Sequence, residues 1–144
     1  MRFGVFIYDG VEPVDLATFG VLSMARRIAP QLQVTTIAPA AGAVLLANGL
    51  EVIAKHGVDA PPPLDALIVT GGPGWRAQAT HAPTLAYLRH TARHAVVASV
   101  CTGGMILAAS GLLDGLQATT KREVVAGEVA QQICPDNPEH CFIA

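Results

Sequence analysis

The chain has 144 residues, 51% of them hydrophobic and 14% charged, with a net charge of −2. That is the size of one domain with a real core, and a charged content well below the ~25% of an average soluble protein fits a sheet covered by helices on both faces. The nine Lys and Arg residues are scattered, with Arg26-Arg27 and Lys121-Arg122 as pairs and no basic stripe, which argues against a nucleic-acid partner.

No run of about 18 uninterrupted apolar residues offers a membrane span. Met1-Arg2 is followed by only about six apolar residues before Asp9-Gly10, too few for a signal peptide. Three cysteines without framework spacing fit a reducing compartment. A soluble, cytoplasmic protein is expected. Asp59-Ala60-Pro61-Pro62-Pro63 is linker-like but too short to separate domains.

In chain order, Arg2–Tyr8 reads as a first strand, stopped by the turn signal Asp9-Gly10. Glu12-Pro13 opens a helix over Val14–Ile28, with Pro near the first turn, where its missing N–H costs nothing. Val14, Ala17, Val21, Met24 and Ala25 recur at helical spacing, and Pro30 ends the segment. Gln33–Ala38 is a second strand. Ala43–Leu46 and Glu51–Ala54 form a β-hairpin joined through Asn48-Gly49. Leu64–Val69 is a third core strand, running into the loop Thr70-Gly71-Gly72-Pro73-Gly74-Trp75, whose backbone can approach a neighbour closely. Ala82–His94 is an amphipathic helix with Leu85 and Leu88 inward and Arg89, His90 and Arg93 outward.

Val96–Val100 is an uncharged, β-branched run suited to a strand buried on both faces. Cys101-Thr102-Gly103-Gly104 comes next, and then an apolar small-residue helix to Ser110. A thiol at such a strand-to-helix turn has the geometry of a nucleophile elbow, where the helix N-terminus favours a thiolate. Free cysteines are often simply buried, but Thr-Gly-Gly at a strand end favours the reactive reading of Cys101. Leu112–Thr120 is a turn and a short extended piece, Glu123–Ile133 is another helix, and Cys141–Ala144 begins a strand. Strands alternating with helices define an α/β domain around a parallel sheet. Ligands in such sheets sit beyond the carboxyl ends of the strands. There the loops Asp9–Asp15, Thr70–Trp75 and the Cys101 turn become walls of one site.

Two carboxylates lie on the first of those loops. Glu12 and Asp15 are either first-turn carboxylates that favour a helix N-terminus or functional groups. Asp15, between Val14 and Leu16, needs a partner if ionised, and beside Cys101 it would take a proton or hold a water. Gly71-Gly72-Pro73-Gly74 is either a plain turn or a source of N–H groups that join that of Thr102 in an oxyanion hole. It matches neither dinucleotide nor phosphate-loop patterns. Trp75, Phe19 and Leu22 either shape an apolar pocket or simply pack. Cys134, His140 and Cys141 fit no standard zinc spacing and are read as structural, so no metal is expected. His56, His81, His90 and His94 are dispersed.

Three groups of residues together resemble the ThiJ/PfpI superfamily, the class I glutamine-amidotransferase-like group. They are Val69-Thr70-Gly71-Gly72-Pro73-Gly74, Val100-Cys101-Thr102-Gly103, and Gly111-Leu112-Leu113-Asp114-Gly115 with Ala118-Thr119-Thr120. Tyr8-Asp9-Gly10-Val11-Glu12-Pro13-Val14-Asp15-Leu16 is similar to the branch containing isocyanide hydratases and the sensor domains of AraC-type regulators.

The resemblance implies a flavodoxin-like sheet with Cys101 as elbow nucleophile after a central strand and Thr102 as its oxyanion-hole neighbour, with Gly72 beside it. Asp15 would match the acidic residue that contacts the thiol. Gly71, Gly74, Trp75 and Glu12 would shape the pocket. It also implies a homodimer without cofactor, acting on a small molecule. Where many members carry a His after Ala118-Thr119-Thr120, this chain has Lys121, which disfavours a Cys–His protease or amidase. Members continue with a further strand, a turn and a final helix, so a C-terminally truncated single domain over residues 1–144 is expected. The leading expectation is a thiolate-dependent hydratase or hydrolase. A ligand-sensing module and a chaperone-like stress protein are the alternatives, and no helix-turn-helix pair is present in this chain to make a complete regulator.

Overall fold

The computed structural model describes residues 1–125. Five parallel strands form the main sheet: β1 (Arg2–Phe6), β2 (Gln33–Ala38), β5 (His56–Gly57), β6 (Ala66–Val69) and β7 (Val96–Ser99), in the order β5-β2-β1-β6-β7. β3 (Gly42–Leu45) and β4 (Glu51–Ala54) make a separate antiparallel hairpin. The helices are α1 (Ala17–Ala25), α2 (Trp75–Ala79), α3 (Ala82–Thr91), α4 (Gly103–Ala109) and α5 (Arg122–Val125).

From β1 the chain moves through α1 to β2 on one side, whereas β6 pairs with the other side of β1 and leads through α3 to β7. Right-handed crossovers, the rule for parallel strands, then place α1 and α3 on opposite faces. The direction of winding reverses between β1 and β6, and the crevice beyond the carboxyl ends at such a switch point is where ligands bind in open α/β sheets. α2, α3 and α4 pack on one another, and α3 and α4 also pack on β7. Among the described residues no helix is long and apolar enough to cross a membrane.

The core grows out of the sequence pattern. Val5, Phe6, Ile7 and Tyr8 run consecutively through the buried centre of β1 and its extension, as a strand covered on both faces requires, and meet Ile37, Leu67, Val69, Leu88, Met105 and Ile106. Phe6 lies with its ring centroid 5.9 Å from that of Tyr8 and 6.4 Å from that of Tyr87. Gly4 leaves room for Leu64, Ile37 and Leu67, whose methyl groups a Cβ there would meet at 2.6–3.0 Å.

Three expectations are corrected. The helix expected over Val14–Ile28 is a 3-10 turn at Pro13–Leu16 followed by α1, and its inward residues are Leu16, Phe19 and Leu22. Val14, Val21 and Met24, expected on the buried stripe, are exposed (70%, 69% and 52%). The 3-10 turn advances three residues per turn and so shifts the phase of α1 behind it. In a segment apolar on every side, periodicity alone cannot choose the face.

Secondly, β7 has β6 as its one partner among the described residues and alternates between exposed and half-buried positions, so it is not buried on both faces. Thirdly, β5 is an additional two-residue strand pairing His56 and Gly57 with Ile37 and Ala38. The expected helix Glu123–Ile133 is described as far as Val125. Its remainder, Cys134, His140 and Cys141 lie outside the described residues.

Candidate active site

Cys101 follows β7 and precedes α4 with φ at +52°, the one non-glycine residue with positive φ among the described residues. A side chain with Cβ costs energy in that left-handed region, and such strain persists only where the surroundings impose it. They do so here. Gly103 passes so close to the Val69 and Thr70 carbonyls that a Cβ would collide with them, and the Cys101 carbonyl accepts the Thr120 hydroxyl at 3.0 Å. The Cys101 side chain is partly exposed, as a reactive thiol must be.

The loop after β6 is shaped to meet this elbow. A Cβ on Gly71 would collide with the Thr102 backbone nitrogen and lie 2.8 Å from Cys101 Cβ. Gly72, at φ +144°, has Glu12 N and the Gly10 carbonyl where its own Cβ would stand. The Gly72 N–H donates to Thr102 Oγ1 at 2.9 Å, tying the loop to the residue just before α4. Trp75 is buried beneath the loop, with the Arg76 guanidinium 4.9 Å over its ring. A cation held against an aromatic face is favourable there.

Asp15 closes the third side. Its Oδ2 accepts the Gly71 N–H at 2.7 Å, so the carboxyl stands beside the same glycine that abuts Cys101. Burial pushes this carboxyl above the usual carboxylate range, the Gly71 hydrogen bond pulls it back, and the Glu12 charge pushes it up again. Tyr8, at the end of the β1 segment, is fully buried and donates its hydroxyl to the Thr70 carbonyl at 3.0 Å. Burial first, then the Asp15 and Cys101 charges, push the Tyr8 phenol far above its ordinary range, so it remains a donor. It props the backbone at which the β6 loop begins.

Together these groups line a cavity of about 400 Å³ bordered by Glu12, Asp15, Gly72, Trp75, Cys101 and Thr102, with Val14, Pro73, Arg76, Lys121 and Val124 completing its wall. The structure thus brings Cys101, Asp15, Thr102, Gly72, Trp75 and Glu12 to one place. Gly71 and Gly74 stand behind that wall, Gly71 against the elbow and Gly74 against the Asp9 carbonyl. Phe19 and Leu22 pack on the core instead.

Gly72 differs in role from the expectation. Its N–H is already engaged by the Thr102 hydroxyl, so it ties the β6 loop to the elbow. No histidine among the described residues borders the cavity. Arg76, which borders the cavity, and Tyr8, which props the loop behind it, have no role expected from the sequence. Tyr8 carries a signal in its hydroxyl at the end of an apolar strand, whereas Arg76 has none.

A partly exposed thiol on a strained strand-to-helix turn, at the switch point of a parallel sheet and beside a half-buried carboxyl, defines an α/β protein built around a cysteine-bearing elbow. Residues 1–133 match the DJ-1/PfpI family, and the chain belongs to that family. It is 32% identical over 122 residues to the isonitrile hydratase of Pseudomonas putida, covering 83% of this chain and 52% of that protein, and so spans about half that relative's length. A DJ-1 superfamily protein of Agrobacterium tumefaciens superposes with a TM-score of 0.77 at 21% identity, over 99% of this chain and 73% of the other. An AraC family transcriptional regulator of Pseudomonas putida gives 0.74 at 23% identity, over 91% and 71% of the two chains. The last two likenesses concern the fold.

Proposed function

We propose that the chain carries a cysteine-dependent hydratase or hydrolase site for small electrophilic molecules, with isonitriles as the first class to test. The observation that carries this reading is the juxtaposition of Cys101, at φ +52° on its elbow, with Asp15, whose carboxyl is hydrogen-bonded to the glycine against that elbow. The isonitrile hydratase relative names the substrate class. The lack of histidine among the described residues of the cavity wall favours an Asp–Cys pair over a Cys–His pair.

In the proposed reaction the Cys101 sulfur adds to the terminal carbon of R–N≡C while that carbon receives a proton from Asp15, giving a thioimidate, R–N=CH–S–Cys. Water then adds to the same carbon. Asp15 takes one proton from that water and passes it to the nitrogen as the C=N bond opens, leaving R–NH–CH(OH)–S–Cys. The N–H of Thr102 faces the oxygen as charge develops on it. As the hydroxyl returns its proton to Asp15, collapse expels the Cys101 thiolate and releases the formamide R–NH–CHO. The sum is one isonitrile plus one water, with no redox change. The fold holds the nucleophile and the proton carrier in place beforehand, which removes the entropy cost of bringing them together.

Benzyl isocyanide hydration, followed by the appearance of the formamide, tests the scheme. Cys101→Ala is expected to remove turnover by at least about a thousandfold, and Asp15→Asn by roughly 10²–10⁴ with the fold intact. Full activity in Cys101→Ala overturns the proposal. Tight binding of the isocyanide with no turnover in the parent chain also overturns it, and points to ligand sensing at the same cavity.

A further inference from the structure

A second and larger cavity, about 550 Å³, opens at the opposite edge of the sheet, where the parallel strands begin. Its volume is in the range of small-molecule sites, roughly 300–1,000 Å³. Arg2 and Phe3 of β1, Gln33 to Thr35 of β2, Lys55 and His56 before and in β5, and Pro62 to Leu64 form its walls, with Arg26 entering from the end of α1. Because α1 runs back against the strand direction, its last turn returns to this edge.

The lining is one-signed. Three of the chain's nine Lys and Arg residues border the cavity, together with His56, and no Asp or Glu among the described residues does. Arg2 is already tied to Asp65, at 2.9 Å between Nη2 and Oδ1. Arg26 and Lys55 form no ion pair among the described residues. Gathering unpaired cations into a concave site raises the local concentration of anions. Apart from Gln33 and Thr35, the remainder of the wall is apolar: Phe3, Leu32, Val34, Pro62, Pro63 and Leu64.

A second observation points the same way. The Thr35 hydroxyl, on the cavity wall, is shielded from solvent and has no hydrogen-bond partner among the described residues. A buried polar atom left unpaired is costly, and most such atoms in folded proteins have a partner. Its neighbour Thr36 meets that requirement within the fold, donating to the Ile53 carbonyl and accepting the Lys55 N–H. Thr35 does not.

We propose that this cavity is a second binding site, separate from the Cys101 site, for a small amphipathic organic anion. A phosphate or carboxylate head would take charge-assisted hydrogen bonds from Arg26 and Lys55 and, once its side chain turns out of the shielded position, one from the Thr35 hydroxyl, with the apolar body against Phe3, Leu32 and Leu64.

Phenyl phosphate and benzoate, titrated into the folded chain by calorimetry, test this, with benzyl alcohol as the neutral comparator. Saturable one-to-one binding of either anion, absent for benzyl alcohol and weakened by added salt, upholds the site, and the tighter of the two identifies the head group. Arg26→Glu and Lys55→Glu should each weaken binding about tenfold or more, and Thr35→Val several-fold. Circular dichroism checks that each variant folds. Binding that is lost in Arg76→Ala but kept in Lys55→Glu would place the anion in the Cys101 cavity and overturn the proposal. So would equal affinity for benzyl alcohol, or no binding of either anion up to roughly 10 mM, a concentration at which even weak, non-specific contact becomes detectable.

Discussion

Asp15 shows most plainly how one residue's surroundings set its chemistry. Its carboxyl is half-buried and sits above the usual carboxylate range, so the folded chain holds that proton more tightly than the unfolded chain does. The stabilising contribution is therefore full below the unfolded value of about 3.9 and is lost as pH rises through the folded value. Above that folded value the ionised group works against folding. Asp15→Asn should melt at an equal or higher temperature than the parent at pH 7, with the difference shrinking as pH falls towards ~4. Thermal unfolding across that range checks it, and a lower melting temperature at pH 7 that recovers in acid would contradict it. Loss of activity with a gain in stability is the mark of a functional carboxylate.

Gly71 belongs to the same scale. Any Cβ there collides with backbone at Thr102, which cannot rotate away as a flexible side chain would. Gly71→Ala should destabilise the chain by about 1–3 kcal/mol and lower turnover at least tenfold by displacing the elbow. Melting temperature and kcat together check this. Unchanged values in both would show the loop to be more compliant than its packing implies.

At the scale of elements, several strands are legible in the sequence because their signals are local. Gln33–Ala38 is found with the expected bounds, and the hairpin turn at Asn48-Gly49 has Gly49 at φ +87° with Asn48 Oδ1 accepting the Leu50 N–H. Turn chemistry of this kind needs no tertiary context. The α1 segment is legible as a helix but not as an orientation, since Leu16, Phe19 and Leu22 on one side and Val14, Val21 and Met24 on the other are equally apolar. Only packing against β2 decides which side is buried.

Stability measurements can verify that face. Phe19→Ala and Leu22→Ala should each cost about 1–3 kcal/mol, less than a full core truncation because both are partly exposed. Val21→Gln and Met24→Gln should stay within about 0.5 kcal/mol. The opposite ranking would return the helix to the orientation its periodicity implies. β5 escapes sequence reading for a different reason. Two residues carry no period, and only pairing with Ile37 and Ala38 makes them a strand.

For the whole molecule, the arrangement of strands turns three separate loops into one site. Asp15 and Cys101 lie 86 positions apart in sequence, and they meet because β1 and β6 flank the switch point and β7 lies at the side of β6. The types of the candidate groups are readable in the sequence, since a Cys-Thr-Gly-Gly turn and an acid on an apolar segment are both local anomalies. Their hydrogen-bond partners are not. That Gly72 donates to the Thr102 hydroxyl and Gly71 to Asp15 depends on the depth at which the β6 loop enters the site, which tertiary packing sets. The second cavity is likewise invisible in the sequence, because Arg26, Lys55 and Thr35 come from three separate segments with no shared motif.

The central claim is that Cys101 is an accessible, activated nucleophile in a pocket that admits a small electrophile. Iodoacetamide modification of the folded chain, followed at Cys101 by mass spectrometry with glutathione as the reference thiol, measures this most directly. Cys101 is expected to be modified faster than glutathione at neutral pH, benzyl isocyanide is expected to slow the modification, and Gly71→Ala is expected to abolish the advantage. Modification slower than glutathione and indifferent to the isocyanide would contradict it, leaving Cys101 as a cysteine that merely ends a strand.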